Sequence, residues 1–200
     1  YYLGLAHYQK EETDKAIEIF QQVLNQVNEK SDKGIVSDFY AILGDLYHSK
    51  EMKAEAYAAY DSSLVYNPNN IGTLNNYAYY LSVERTNLDK AEEMSYKTVK
   101  AEPEKATYLD TYAWILFEKK RYTEARIYIE QVMKKGGDSS QVIVEHCGDI
   151  YYMSGEKEKA LEYWKKEDSM ENKEEDGATP RTEAELKRLK RKIALKKYIE

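Results

Sequence analysis

Three histidines, His7, His48 and His146, and one cysteine, Cys147, are the residues of this 200-residue chain best suited to metal binding or nucleophilic catalysis. Their spacing fits neither use. No His-x-x-x-His or Cys-x-x-Cys pair brings two ligands to one face, and a single cysteine forms no internal disulfide and no thiolate cluster for zinc. The adjacent carboxylates Glu11-Glu12, Glu92-Glu93 and Glu174-Glu175 point to different sides of a helix, so none forms a paired acid and base. Gly136-Gly137 follows no strand and lacks the Gly-x-Gly-x-x-Gly or Gly-Lys-Ser/Thr pattern that cradles phosphate, so it reads as a helix end. The expectation is a non-enzymatic chain with no metal and no cofactor.

Composition narrows the class further. With 42% apolar, 33% charged and 12% aromatic residues the chain is that of an ordered protein, and its apolar runs are too short to span a membrane. The formal charge of −6 is unevenly distributed. Residues 181–200 hold eight basic and three acidic side chains, a net +5, which leaves −11 on residues 1–180. An acidic body repels nucleic acid and anionic lipid and favours protein partners with basic character.

The elements that position these side chains follow from internal repetition. Gly4, Gly44, Ala78, Ala113 and Gly148 recur at intervals of 40, 34, 35 and 35 residues, and Ala16, Ala56, Ala91, Ala125 and Ala160 at 40, 35, 34 and 35. Four residues after each alanine stands Phe20, Tyr60, Ser95, Ile129 or Trp164. Two series in step mean one unit of two helices: a small residue on the first lets the second approach, and the following large residue fills the groove. Polar turns such as Ser49-Lys50-Glu51, Arg85-Thr86-Asn87 and Ser154-Gly155-Glu156 join the two helices. Pro68 and Pro103, 35 apart, end second helices. Asn70 and Asn87 are expected amino-terminal caps.

The pattern Tyr40, Leu43, Gly44, Tyr47, Ala56, Tyr60 and Pro68 resembles the tetratricopeptide repeat, with its period of about 34 residues. The resemblance covers about residues 1–170. It implies an all-α fold, a right-handed superhelical α-solenoid of about five helix-turn-helix repeats at 1–30, 37–70, 71–105, 106–140 and 141–170. A polar linker over 171–181 and a basic C-terminal capping helix over 182–200 follow, the latter opened by a Thr182–Glu185 capping box. The first repeat lacks its opening residues, so Tyr1 is expected partway along a helix. Cys147 falls where other copies carry Leu43 and Tyr112, which implies burial. Helices are expected at 1–10, 14–28, 36–50, 52–66, 70–84, 88–101, 105–119, 122–135, 140–154, 156–168 and 183–198.

The resemblance also says which positions face inward. The concave surface of such an array is lined by first helices, and here that wall would present Asp38, Asp45, His48, Asn75, Tyr79, Asp110, Trp114, Phe117, Glu145, Asp149 and Tyr152, with Glu118 beside them and Tyr1, Leu5, Tyr8 and Gln9 from the incomplete first copy. Carboxylates without interleaved lysine or arginine, set among large aromatics, suit a protein or peptide segment bearing basic and apolar residues. The lysine, asparagine and arginine with which some tetratricopeptide domains grip a terminal carboxylate are replaced by Ala41, Asp45, Asn76, Thr107 and Thr111. Only Asn76 fits that pattern, so a carboxylate-tail receptor is not expected.

The final helix supports two readings. Lys187, Arg188, Lys190, Arg191, Lys192, Lys196 and Lys197 surround an apolar stripe of Leu186, Leu189 and Ile193. It either caps the array over Ala160 and Trp164, held by the acidic body, or binds nucleic acid or an anionic membrane surface. The cap is the preferred reading, within a protein-interaction adaptor or scaffold that binds no nucleic acid and spans no membrane. A structural role, with self-association through the incomplete first repeat, is the third alternative. Asn75-Asn76-Tyr77-Ala78-Tyr79 and Leu109-Asp110-Thr111-Tyr112-Ala113-Trp114 are similar to long bacterial tetratricopeptide arrays, some of them in cell-envelope proteins. That similarity favours the periplasmic side of a bacterial envelope over the cytoplasm.

Overall fold

The computed structural model describes residues 13–172 and 181–199. The expected first helix over 1–10, with Tyr1, Gly4, Leu5, His7, Tyr8 and Gln9, and linker residues 173–180 lie outside the described residues. Within them all regular structure is helical. The α-helices are α1 (Thr13–Leu24), α2 (Lys33–Ser49), α3 (Lys53–Tyr66), α4 (Ile71–Val83), α5 (Leu88–Ala101), α6 (Ala106–Glu118), α7 (Tyr122–Lys134), α8 (Gln141–Met153), α9 (Lys157–Asp168) and α10 (Glu183–Leu195), with a 3-10 turn at Gly137–Ser139 before α8. The chain forms two compact units, residues 1–80 and 81–200, divided within α4.

The small-against-large logic of the repeat is visible inside each unit. In the first, a Cβ built on Gly44 of α2 would lie 2.5–2.9 Å from the Tyr60 ring of α3, so only glycine admits that ring. In the second, a Cβ on Gly148 of α8 would lie 2.5 Å from Trp164 of α9. Ala16, Ala56, Ala91, Ala125 and Ala160 are all fully buried, as are Phe20, Tyr60, Ser95, Ile129 and Trp164. Phe20, Phe39, Leu43, Leu46 and Ala59 make one continuous core in the first unit. Burial of each large apolar side chain contributes roughly 1.5–3 kcal/mol.

The turns inside the hairpins share one backbone device. Glu51, Arg85, Lys120 and Gly155, spaced by 34, 35 and 35, all have positive φ, at 60°, 54°, 61° and 97°. After each, the next N–H donates back over the helix end: Met52 to Tyr47, Thr86 to Leu81, Arg121 to Leu116 and Glu156 to Tyr151, at 2.9–3.0 Å. This left-handed stop satisfies the last carbonyls of each first helix. Only Gly155 adopts it without strain.

Caps differ in part from expectation. The Asn70 side chain accepts from the Thr73 N–H at 3.1 Å, and Thr182 and Glu185 form the expected reciprocal box. Asn87 instead takes a left-handed conformation with no side-chain cap, whereas Asp32 caps α2 by accepting from the Ile35 N–H at 3.0 Å.

Candidate docking faces of the first helices

In the first unit the predicted residues stand on α2 and α4. Asp38 is exposed and accepts from Asn70 at 2.9 Å. Asp45 is held between Tyr60, whose hydroxyl donates at 2.5 Å, and Asn76, whose amide donates at 3.1 Å. Burial pushes the Asp45 carboxyl above its ordinary range, against the two hydrogen bonds that favour its charged form. His48 stacks on Tyr80 with ring centroids 3.4 Å apart, and Tyr79 lies against the same Tyr80 at 5.8 Å. Asn75 is buried, donates to Asn76 at 3.3 Å and leaves its Oδ1 with no hydrogen-bond partner. Of these residues Asp38 is exposed, and His48 and Tyr79 are half-buried.

The second unit departs from the expected open, cation-free wall. Asp110, Phe117, Glu145 and Asp149 are buried, while Trp114 and Tyr152 are half-buried. Trp114 is sandwiched by Phe117 at 4.6 Å and His146 at 4.0 Å, each within 12° of parallel. His146 Nδ1 stands 3.0 Å from both carboxylate oxygens of Asp110. Tyr152 stacks on Trp164, whose indole N–H donates to Asp149 at 2.8 Å. Glu118, expected among bare acids, accepts from Arg85 at 2.8 Å.

The largest correction concerns Glu145 and Asp149. Both lie beneath α10, which brings its basic side onto them. Lys192, only 1% exposed, donates to Glu145 at 2.8 Å and to both Asp149 oxygens at 2.8 and 2.7 Å. Arg188 donates to Glu145 at 3.0 Å, and Arg181 donates to Glu145 and, at 3.2 Å, to Glu167. The physical reason is that carboxylates taken out of water need cations, and here the chain supplies its own. The Lys192 ammonium also lies 5.7 Å from the Trp164 ring and 5.3 Å from that of Tyr198, and Tyr198 reaches the edge of Phe117 at 5.7 Å.

Electrostatics of this seat follow from burial against charge. Burial would raise Glu145, but Lys192, Arg181 and Arg188 overturn it and hold the carboxyl down at about 2. Asp149 is raised to about 6 by burial, against the pull of Lys192. Glu167 is raised to about 8 by burial and then by the negative Glu145. One oxygen of Glu167 is buried without a hydrogen-bond partner.

Sequence reasoning missed His146 as the stacking partner of Trp114 and Lys192 as the central cation. Lys192 had a signal, since it falls three residues after Leu189 and beside Ile193, on the apolar stripe rather than the polar face. Arg181 had none, because it precedes the helix. Burial pushes the Cys147 thiol up and away from thiolate, and no group of three metal-ligating side chains occurs among the described residues. No helix among those residues is long and apolar enough to cross a membrane.

Comparison with known proteins agrees with this architecture. The family model of the tetratricopeptide repeat matches residues 1–27, and no curated protein matches the sequence. MamA of AMB-1 is 18% identical with a TM-score of 0.65, over 82% of this chain and 92% of its own. A tetratricopeptide repeat protein from Parabacteroides merdae ATCC 43184 is 17% identical with a TM-score of 0.71, over 96% of this chain and 69% of its own. PilF from Pseudomonas aeruginosa is 18% identical with a TM-score of 0.69, over 96% of this chain and 80% of its own. At such identities the likeness speaks for the fold, which is that of a tetratricopeptide-repeat solenoid, while the family match itself spans residues 1–27.

Proposed function

We propose that this protein is a non-enzymatic interaction scaffold whose first-helix faces hold basic, amphipathic segments of partner proteins. The observation that carries the reading is α10 itself, a basic helix seated on the carboxylates of a first helix through its Lys192 and Arg188 and through Arg181 just before it. The first unit offers matching chemistry along its first helices, with exposed Asp38 and, about 15 Å further along α2, half-buried His48, which shares Tyr80 with half-buried Tyr79. A rigid helical face orders little on binding, so a partner's aromatic and cationic contacts are not offset by receptor entropy. Arg188 and Lys192 of α10 are turned inward onto carboxylates, which takes them from the charge a nucleic acid or lipid surface would use.

The test uses a synthetic amphipathic peptide with Lys and Arg on its polar face, and its Glu-substituted counterpart, in fluorescence anisotropy against the whole chain. The basic peptide is expected to bind and the acidic one not. Asp38→Lys combined with Tyr79→Ala is expected to weaken binding about tenfold or more with the helical circular dichroism unchanged. Equal affinity for both peptides, or unchanged affinity of the variant, refutes the assignment of the first-unit face.

A further inference from the structure

The seat beneath α10 is built as a binding site rather than as a core. Of the thirteen residues of α10 only Leu189 and Lys192 are buried, and Leu195 is 58% exposed. Its attachment is chiefly ionic: three cations, Arg181, Arg188 and Lys192, meet three carboxylates, Glu145 and Asp149 of α8 and Glu167 of α9, with Glu185 of α10 accepting from Arg181 at 3.3 Å. Such a network is specific in geometry yet close to neutral in net energy, because desolvating each ion offsets most of the attraction. The helix also carries its own ends, a capping box at Thr182 and a left-handed stop at Lys196, so its end groups do not depend on the seat. Fourteen residues separate the last residue of α9, Asp168, from the first of α10, Glu183.

We propose that the Glu145–Asp149–Glu167 seat is a second docking surface, for a basic amphipathic helix of a partner protein that binds by displacing α10. Charge complementarity names the occupant. An arriving helix must place a long cation between Glu145 and Asp149, over the Trp164 ring, and a leucine-sized residue one turn before it, as Lys192 and Leu189 do now. The proposal rests on the scaffold reading for the class of partner and adds that α10 is the resident competitor, which sets the affinity any incoming helix shows.

The probe is a labelled peptide with the sequence of residues 181–199, added to the whole chain. Peptide addition is expected to lower amide hydrogen-exchange protection in α10 and leave α8 and α9 protected. Lys192→Ala in the chain weakens the resident helix, so it is expected to raise the peptide's affinity about tenfold or more, because apparent affinity scales with the fraction of seats already open. Asp38→Lys with Tyr79→Ala should leave this binding intact, which separates it from the first-unit face. Peptide binding with unchanged α10 protection, or no tighter binding to Lys192→Ala, overturns the proposal while leaving the scaffold reading standing. A dimer of the unmodified chain that the peptide dissociates would assign the seat to a second copy and overturn it as well. Should Lys192→Ala fail to fold, the exchange experiment on the unmodified chain decides alone.

Discussion

Gly44→Ala tests whether close approach at one glycine holds a hairpin together. The added methyl would sit 2.5 Å and 2.6 Å from two Tyr60 ring carbons, where contacting carbons normally stand about 3.5–4.0 Å apart. The ring must therefore retreat by about 1 Å. It cannot swing aside freely, since Tyr60 is fully buried and its hydroxyl is anchored on Asp45 at 2.5 Å. Overpacking of this kind costs roughly 1–3 kcal/mol, against a gain of about 1 kcal/mol from replacing glycine by alanine inside a helix. A net loss of up to about 2 kcal/mol is expected in denaturant unfolding followed by circular dichroism. The sign should then reverse in a Tyr60→Leu background, where the methyl has room and Gly44→Ala becomes stabilising by about 0.5–1 kcal/mol. The copy with Ala113 already carries the smaller Ile129 at the corresponding place. If Gly44→Ala costs the same in both backgrounds, the steric account of the repeat is wrong.

Three further outcomes follow from the same geometry. Lys120→Gly relieves a left-handed backbone at φ 61° and should stabilise the α6–α7 hairpin by about 0.5–1 kcal/mol in the unfolding midpoint, since glycine avoids the left-handed penalty but adds unfolded-state entropy. Phe117→Ala, at a residue expected from sequence to serve a partner, should cost about 3–5 kcal/mol because the ring is 4% exposed and supports both Trp114 and Tyr198. The folding stability of the second unit should fall as pH rises. Glu167, raised from 4.5 to about 8, and Asp149, raised from 3.8 to about 6, each contribute fully below their ordinary values and lose that contribution as pH passes the raised ones. Glu145, held low, acts in the opposite sense only as pH falls from about 4.5 towards 2. Between pH 6 and 8.5 the free energy of denaturant unfolding should therefore fall, by at most about 1.4 kcal/mol per unit for one proton, and Glu167→Gln should flatten that slope.

Much of the architecture is legible because it rests on side-chain size at fixed intervals. Gly44 and Tyr60, or Gly148 and Trp164, are chemically conspicuous and 16 residues apart in both copies, so their pairing can be read without coordinates. The ends of α5, at Leu88 and Ala101, coincide with expectation for the same reason. The hairpin turns were less readable, because three of the four left-handed stops are built from Glu51, Arg85 and Lys120 rather than glycine. What selects that conformation is the six-residue hydrogen bond over the helix end, a backbone property that side-chain type does not announce. The docking face was half readable. Position in the repeat places Asp38 and Tyr79 on the first-helix side, but position alone does not say that a basic segment more than thirty residues later returns to cover Glu145 and Asp149.

That return changes the meaning of the acidic lining. A row of carboxylates along a first helix reads as a receptor for cations, and in the second unit it is one, with the cations supplied in cis. Replacing such a buried network by apolar side chains generally holds a helix as firmly or more so. Firmness alone therefore does not account for Lys192 beneath α10. What the ions supply is selectivity: an apolar seat accepts any greasy helix in several registers, whereas Lys192 must meet Glu145 and Asp149 together and Arg181 must span Glu145 and Glu167. A misplaced helix leaves buried charge uncompensated, a penalty of several kcal/mol that apolar contacts cannot recover. The same penalty would reject partner helices lacking a cation at that position, so the contacts that fix the register of α10 also define which foreign helix could replace it.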